Sequence, residues 1–106
     1  MRFRLHPDAD AELYAAVYWY QADYPGRGIR FYRAVQTELD RIREAPRSFP
    51  YWRRALDVQA CVLPRFPYTL FFIAGPSEVT VYAVAHQKRR PGYWRSRLPP
   101  KATRTS

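Results

Sequence analysis

Hydrophobic side chains change their spacing halfway along this sequence, from the period of a helix to that of a β-strand. Up to about residue 45 they recur three or four positions apart, which is typical of amphipathic helices. Later they form three β-rich runs, at 58–63, 68–74 and 78–85. The connections between these runs are short, and short connections make consecutive strands antiparallel neighbours. The second half of the chain is therefore predicted to be a three-stranded antiparallel meander.

The first half is predicted to hold one short strand followed by two helices. Residues 2–6 alternate polar and apolar side chains, as a half-buried strand does. Pro7 stops that strand and opens the first helix. A turn at 24–28, in which Gly26 and Gly28 are free to take positive φ, leads to the second helix.

The order β, α, α, β, β, β predicts the fold class α+β. We expect an N-terminal strand, a helical hairpin, and then an antiparallel sheet with the hairpin packed on one of its faces. The chain has 106 residues, which suits one domain with one modest core. We expect that domain to span 1–98 and residues 99–106 to be a frayed tail.

The net charge of +9 is distributed unevenly. Residues 1–50 hold eight Arg against seven Asp and Glu, whereas 51–106 hold ten Lys and Arg against two acidic residues. Such a basic half suits a nucleic acid or an acidic protein surface, although a GC-rich genome that favours Arg would give the same composition. The single cysteine, Cys61, is expected to be a buried hydrophobe in a reduced compartment. The sequence has no apolar run of 18 residues and no secretory signal, so we expect a cytoplasmic protein without membrane contact.

The string HQKRRPGYWRSR, residues 86–97, places basic and aromatic side chains where the last predicted strand ends. His86 can exchange a proton near pH 7, but it can also be interpreted as a sheet-edge imidazole bonded to nearby backbone. Tyr93 and Trp94 either stack on bases or tie the C-terminal turn onto the sheet. Lys88 and Arg89 either contact phosphate or remain solvated.

The predicted target-binding surface draws on this string and on two earlier connections. Its members are Arg53, Arg54, Arg65, His86, Lys88, Arg89, Tyr93 and Trp94. No spacing of His, Cys and carboxylates typical of a metal site occurs in the sequence, and no glycine pattern typical of a phosphate or dinucleotide loop. We therefore expect neither a metal nor a cofactor.

Four strings occur together in this sequence: HPDADAEL, GIRFYRAVQTELDRIREAP, RFPYTLFF and VYAVAHQKRRPGYWRSR. With the predicted order of elements, they make the chain resemble the RelE/ParE superfamily of bacterial type II toxins over about residues 3–97. The resemblance implies one half of a toxin–antitoxin pair, a hetero-oligomer in which the antitoxin's C-terminal segment wraps around the helical hairpin and the sheet. Because the surface to be covered is basic and aromatic, that segment is expected to be acidic and amphipathic.

Four aromatic residues of the hairpin have two interpretations, as hairpin core or as antitoxin-binding residues. They are Tyr14, Tyr18, Trp19 and Tyr32.

The resemblance leaves two activities to choose between. One branch of the superfamily enters the ribosomal A site and cuts messenger RNA with the help of several Lys and Arg on its strands. The ParE-like branch blocks DNA gyrase and has no known hydrolytic site. Here the run at 58–62 has no cation, and Thr69 stands where the RNA-cutting branch often has Arg. This difference favours a ParE-like toxin that acts by binding DNA gyrase.

Two other hypotheses remain open. The first is a ribosome-dependent, metal-independent mRNA endonuclease in which His86, Arg89 and Tyr93 are the catalytic residues. The second is an inactive protein of the same shape that serves mainly as an assembly partner of the antitoxin.

Overall fold

The computed structural model describes residues 2–52 and 57–100, and in these ranges the elements follow the predicted order. They are β1 (Arg2–Leu5), α1 (Pro7–Asp23), α2 (Arg27–Glu44), β2 (Gln59–Val62), β3 (Tyr68–Ala74) and β4 (Glu78–His86), with short 3₁₀ turns at Pro46–Ser48 and Arg95–Arg97. The fold class is α+β, as expected. No helix in the described ranges is long and apolar enough to cross a membrane.

The described strands form one sheet in the order β1-β4-β3-β2. Strands β2, β3 and β4 make the predicted antiparallel meander. Strand β1, however, lies parallel to β4, with Leu5 opposite Val81, so the sheet is mixed and not antiparallel throughout. Parallel neighbours need a long crossover connection, and here the hairpin with the rest of the meander provides it.

The helical hairpin covers one face of the sheet. Helix α1 begins at Pro7, where the Nδ1 atom of His6 accepts a hydrogen bond from the backbone N–H of Asp8 at 3.0 Å. Its buried face and that of α2 pack against the inward-facing side chains of the central strands. This main core includes Leu13, Ala16, Tyr20, Phe31, Val35, Ile42, Leu70, Phe72, Val79 and Val81.

The opposite face of the sheet carries a second, smaller core. The indole of Trp94 stacks on the ring of Phe71 with 4.6 Å between centroids, and Trp52 packs against both rings. Val58 and Ala83 complete the buried part of this cluster together with Ala85. Strand β3 is therefore apolar on both faces because both faces are covered, the second by the C-terminal segment.

A β-bulge in β4 changes the alternation of its side chains between the two cores. Phe71 lies opposite Ala83 while Phe72 lies opposite Val81, which leaves Tyr82 as the extra residue. Because of this extra residue, Val81 and Val84 point toward the same face of the sheet.

Gly28 has a different role from the predicted one. Gly26 has the expected positive φ of 90°, but Gly28 lies inside α2 and is buried against α1. A Cβ atom added at Gly28 would lie 2.6 Å from the carbonyl oxygen of Val17. The two helices approach closely at this point because no side chain stands between them.

Gly28→Ala is expected to destabilise the protein by about 1–3 kcal/mol, because backbone atoms of α1 must move to admit the methyl group. Thermal unfolding followed by circular dichroism would then show a melting temperature lower by roughly 5–15 °C. Gly75→Ala is the matched control, since its nearest atom would be at 3.4 Å. Equal melting temperatures for the two variants would contradict the close approach.

Candidate functional site

Beyond the end of β1, side chains take over the hydrogen bonding along the edge of β4. Strand β1 ends opposite Val81. The next backbone groups on this edge are the C=O of Tyr82 and the N–H of Val84. The Nη1 atom of Arg97 donates to that carbonyl at 3.0 Å, and Glu12 Oε1 accepts from that N–H at 3.0 Å. An ion pair therefore takes the place of the missing strand.

Glu12 and Arg97 are also bonded to each other and to Tyr93. Arg97 donates from Nη1 and Nη2 to the two carboxylate oxygens of Glu12, at 2.9 and 3.0 Å. The hydroxyl of Tyr93 donates to Glu12 Oε2. The side chains of Arg97 and Glu12 are only 14% and 17% exposed, so solvent screens this pair less than a surface pair.

The pKa values of these groups shift in the direction that the contacts predict. Hydrogen bonds to Glu12 raise the pKa of Arg97 above its usual value. Burial, together with the hydrogen bond to Glu12, raises the pKa of Tyr93. Tyr93 therefore keeps its proton at neutral pH and donates a hydrogen bond to Glu12, which connects the C-terminal segment to α1.

His86 lies at the end of β4, opposite Tyr68, and its imidazole is bonded to nearby backbone, as one of the two interpretations predicted. Its Nδ1 atom accepts a hydrogen bond from the N–H of Lys88 at 3.0 Å. The ring packs edge-on against Tyr68 with 5.0 Å between centroids. In a neutral imidazole whose Nδ1 is an acceptor, the proton is on Nε2.

Two clefts meet at the turn that follows β4. The first, of about 260 Å³, lies between α1 and the sheet, and Trp19 and Tyr68 form part of its wall. The second, of about 200 Å³, lies on the other face, beside Trp52 and Phe71. Three residues line both clefts: His86, Arg89 and Tyr93. The structure therefore brings together the three residues named as candidate catalysts.

The other predicted target-binding residues have different environments. Lys88 and Arg89 are exposed, and the guanidinium carbon of Arg89 lies 3.9 Å from the centroid of the Tyr93 ring. Arg65 is exposed at the β2–β3 connection, with a positive φ of 72°, at the same end of the sheet as His86. Arg53 and Arg54 lie outside the described residues.

Trp94 requires a correction, because it is only 1% exposed and belongs to the second core. It offers no ring face to a target and ties the C-terminal turn onto the sheet, the second of its two interpretations.

The four hairpin aromatics do not form one cluster. Tyr14, Tyr18 and Tyr32 line a groove of about 580 Å³ along the outer side of the hairpin, together with Ile29. Tyr14, Tyr18 and Ile29 are 43%, 71% and 46% exposed, so they are not hairpin core. Trp19 is 63% exposed but lies at the cleft between α1 and the sheet. We call the surface of Tyr14, Tyr18, Ile29 and Tyr32 the hairpin groove.

Cys61 is buried, as expected, and its Sγ lies 3.4 Å from Oε1 of the buried Glu38. Burial, with the nearby carboxylate, raises the pKa of the thiol to about 12, so it is a poor nucleophile at neutral pH. Among residues 2–52 and 57–100, no group of three or more His, Cys, Asp and Glu is arranged to hold a metal ion.

The pairing of Glu12 with Arg97 is the important feature that the sequence did not reveal. The two residues are 85 positions apart, and no local spacing connects them. The only available signal is that Glu12 lies three positions after Ala9 and four before Ala16, on the buried face of α1.

Comparisons with known proteins support the fold and assign the chain to a family. The family described as "ParE toxin of type II toxin-antitoxin system, parDE" matches residues 3–91. No protein with a curated description matches at a significant level. A solved structure of the chromosomal ParDE TA system from P. aeruginosa is similar with a TM-score of 0.72 and 15% identity, covering 81% of this chain and 95% of that chain. At that identity the likeness establishes the fold.

Replacing either member of the ion pair is expected to destabilise the protein strongly. Glu12→Gln and Arg97→Gln should each lower the free energy of unfolding by about 2–4 kcal/mol, because each leaves a largely buried charge without its partner. The double variant should cost less than the sum of the two, with a coupling of about 1–3 kcal/mol measured by urea denaturation.

Glu44→Gln, at an exposed position of α2, is the matched control and should change stability by less than about 0.5 kcal/mol. Additive effects of Glu12→Gln and Arg97→Gln would mean that the pair does not act as a unit.

Proposed function

Because the chain belongs to the ParE toxin family of type II toxin–antitoxin systems, we propose that it inhibits growth by binding DNA gyrase and that a cognate antitoxin neutralises it. The gyrase target is inferred from the resemblance to ParE-like toxins. The observation that favours a binding inhibitor over an RNA-cutting enzyme is the hydrogen bonding of His86 and Tyr93.

RNA cleavage without a metal needs a base for the 2′-OH proton and an acid for the leaving oxygen. His86 accepts the Lys88 N–H at Nδ1, so in its neutral form Nε2 carries a proton and has no free lone pair for a base. The Tyr93 hydroxyl is bonded to Glu12, and its raised pKa makes it neither a base nor a ready acid. Neither residue is poised for proton transfer.

The strands beside these residues supply few charges to stabilise a transition state. In β2, the side chain of Gln59 is buried and donates to the carbonyls of Pro46 and Phe49, at 2.6 and 3.0 Å. Also in β2, the Sγ of Cys61 faces the carboxylate of Glu38. In β3, the uncharged Thr69 stands where the RNA-cutting branch of the superfamily often has Arg. A binding inhibitor needs none of the missing cations.

One observation favours the endonuclease hypothesis. His86, Arg89 and Tyr93 line the same two clefts, so a movement that released the imidazole from Lys88 would create a site with a base and a cation. An endonuclease would leave cut messenger RNA and a gyrase-binding inhibitor would not, so an experiment can distinguish the two.

We propose the hairpin groove as the place where the antitoxin binds. Its exposed aromatic and aliphatic side chains form a patch of the kind that marks protein interaction sites. The cleft beside Trp19 lies on the other side of α1, so an antitoxin segment that contacts both must wrap around this helix. Basic side chains at that cleft, such as Arg89, favour an acidic segment there.

Purified toxin is expected to inhibit supercoiling of relaxed plasmid by gyrase, and His86→Gln should keep inhibition within about twofold, because the amide can accept the Lys88 N–H. Arg30→Gln, exposed on α2, is the matched control. If His86 were instead a catalyst of RNA cleavage, His86→Gln would lower the cleavage rate by about 10²–10⁴-fold.

Mapping of the 5′ ends of cellular messages after a pulse of toxin is expected to find those messages intact. Cuts phased to codons that disappear with His86→Gln would establish the endonuclease.

Tyr18→Ala is expected to weaken antitoxin binding by about 30-fold, because exposed tyrosines of a groove are typical anchors of an interface. Isothermal titration calorimetry with the cognate antitoxin measures the change, and the melting temperature of the free toxin should remain the same. Tyr51→Ala is the control, since Tyr51 is 60% exposed but lies outside the hairpin groove. Equal losses for the two variants would place the antitoxin elsewhere.

A further inference from the structure

A strongly basic surface surrounds the turn that follows β4, and of its cations only Arg89 lines the cleft where we propose an acidic antitoxin segment. It consists of Lys88, Arg89, Arg90 and Arg95, which we call the basic rim. We propose that the basic rim binds the phosphates of duplex DNA without regard to sequence, so that the toxin contacts DNA directly. The idea that this contact holds the toxin at the DNA on which gyrase acts rests on the proposed function. The DNA contact itself does not depend on gyrase being the target.

Lys88, Arg89 and Arg90 of the basic rim form no ion pair with the described part of the chain. The sequence after residue 57 contains a single acidic residue, Glu78, which lies at the opposite end of β4, roughly 27 Å away along the strand, and pairs with Arg2. Lys88, Arg89 and Arg90 are therefore available to attract an external anion.

The backbone that carries these cations is already ordered. The N–H of Lys88 is bonded to His86 Nδ1, the N–H of Arg89 to the carbonyl of His86, and the N–H of Gln87 to the carbonyl of Pro67. Binding an anion here requires no ordering of this backbone, which reduces the entropic cost of association. His86 thus serves the basic rim as a positioning residue.

Guanidinium groups cover the aromatic faces that a base would need. Arg89 lies 3.9 Å from the centroid of the Tyr93 ring, and Arg95 lies 5.2 Å from that of Trp52. Unpaired bases bind to single-strand proteins by stacking on open rings, and these rings are not open. A stacked guanidinium still presents its N–H edge, which matches the oxygens of a phosphate.

The cleft beside Trp52 and Phe71 is also too small for a base or a large side chain to insert. Its volume is about 200 Å³, below the roughly 300–1,000 Å³ of pockets that hold a ligand. A flipped base or a large side chain of an acidic peptide would find too little room. Duplex DNA needs no pocket and carries about one negative charge per 1.7 Å of its axis, which makes it a suitable anion for these exposed cations.

Fluorescence anisotropy with a labelled 20-base-pair duplex of arbitrary sequence tests the proposal on the whole chain, with no gyrase present. The logarithm of Kd is expected to rise with the logarithm of salt concentration with a slope of about 3, as roughly three phosphate contacts require. Lys88→Ala with Arg90→Ala should lower that slope by about 2. Lys88→Arg with Arg90→Lys should preserve it, because the charges remain.

Arg30→Ala with Arg33→Ala is the matched control, since it removes two exposed charges from α2 and gives the same net charge. An equal fall in slope for this control would overturn the proposal, because binding would then depend on net charge alone. Tighter binding of a single strand of the same length, or of a polyglutamate peptide of equal charge, would also overturn it. A toxin that fails to inhibit gyrase but shows the expected slopes would disprove the proposed target and leave DNA binding established.

Discussion

One carboxylate connects three parts of this molecule. Glu12 extends from the first helix, accepts a backbone N–H from the edge of β4, and binds Arg97 and Tyr93 of the C-terminal segment. Charge-assisted hydrogen bonds of this kind each contribute about 1.5–3 kcal/mol in a partly buried site, whereas a missing partner costs at least as much. Helix, sheet and C-terminal segment are therefore coupled through a single side chain.

The coupling reaches the candidate functional surfaces. The segment that Arg97 and Tyr93 anchor also carries Trp94, which closes the second core against Phe71. The ring of Tyr93 in turn supports Arg89. Stability and surface chemistry thus depend on the same contacts, so a loss of toxicity in a variant of this segment has to be separated from a loss of folding.

Features encoded by neighbouring residues were predictable from the sequence. The change of hydrophobic period located both helices and the meander, and β3 was predicted at Tyr68–Ala74, as found. Contacts between distant residues were not predictable: β1 pairs in parallel with β4, and Glu12 finds Arg97 across 85 positions. His86 illustrates the limit at the site, because its residue type allows both a catalyst and a backbone-bonded imidazole, and the sequence does not show that its Nδ1 accepts the Lys88 N–H.

The parallel pairing of β1 with β4 has a consequence for the order of events on the ribosome. Translation adds about 5–20 residues per second, so Glu12 waits roughly 4–17 seconds for Arg97 to be made. For most of that interval β1 has no partner strand, because β4 begins only at Glu78, and the anchor of the C-terminal segment is incomplete throughout. The basic rim follows the hairpin groove by more than 50 residues, which means that a nascent chain can form the groove before the cations of the rim have been added.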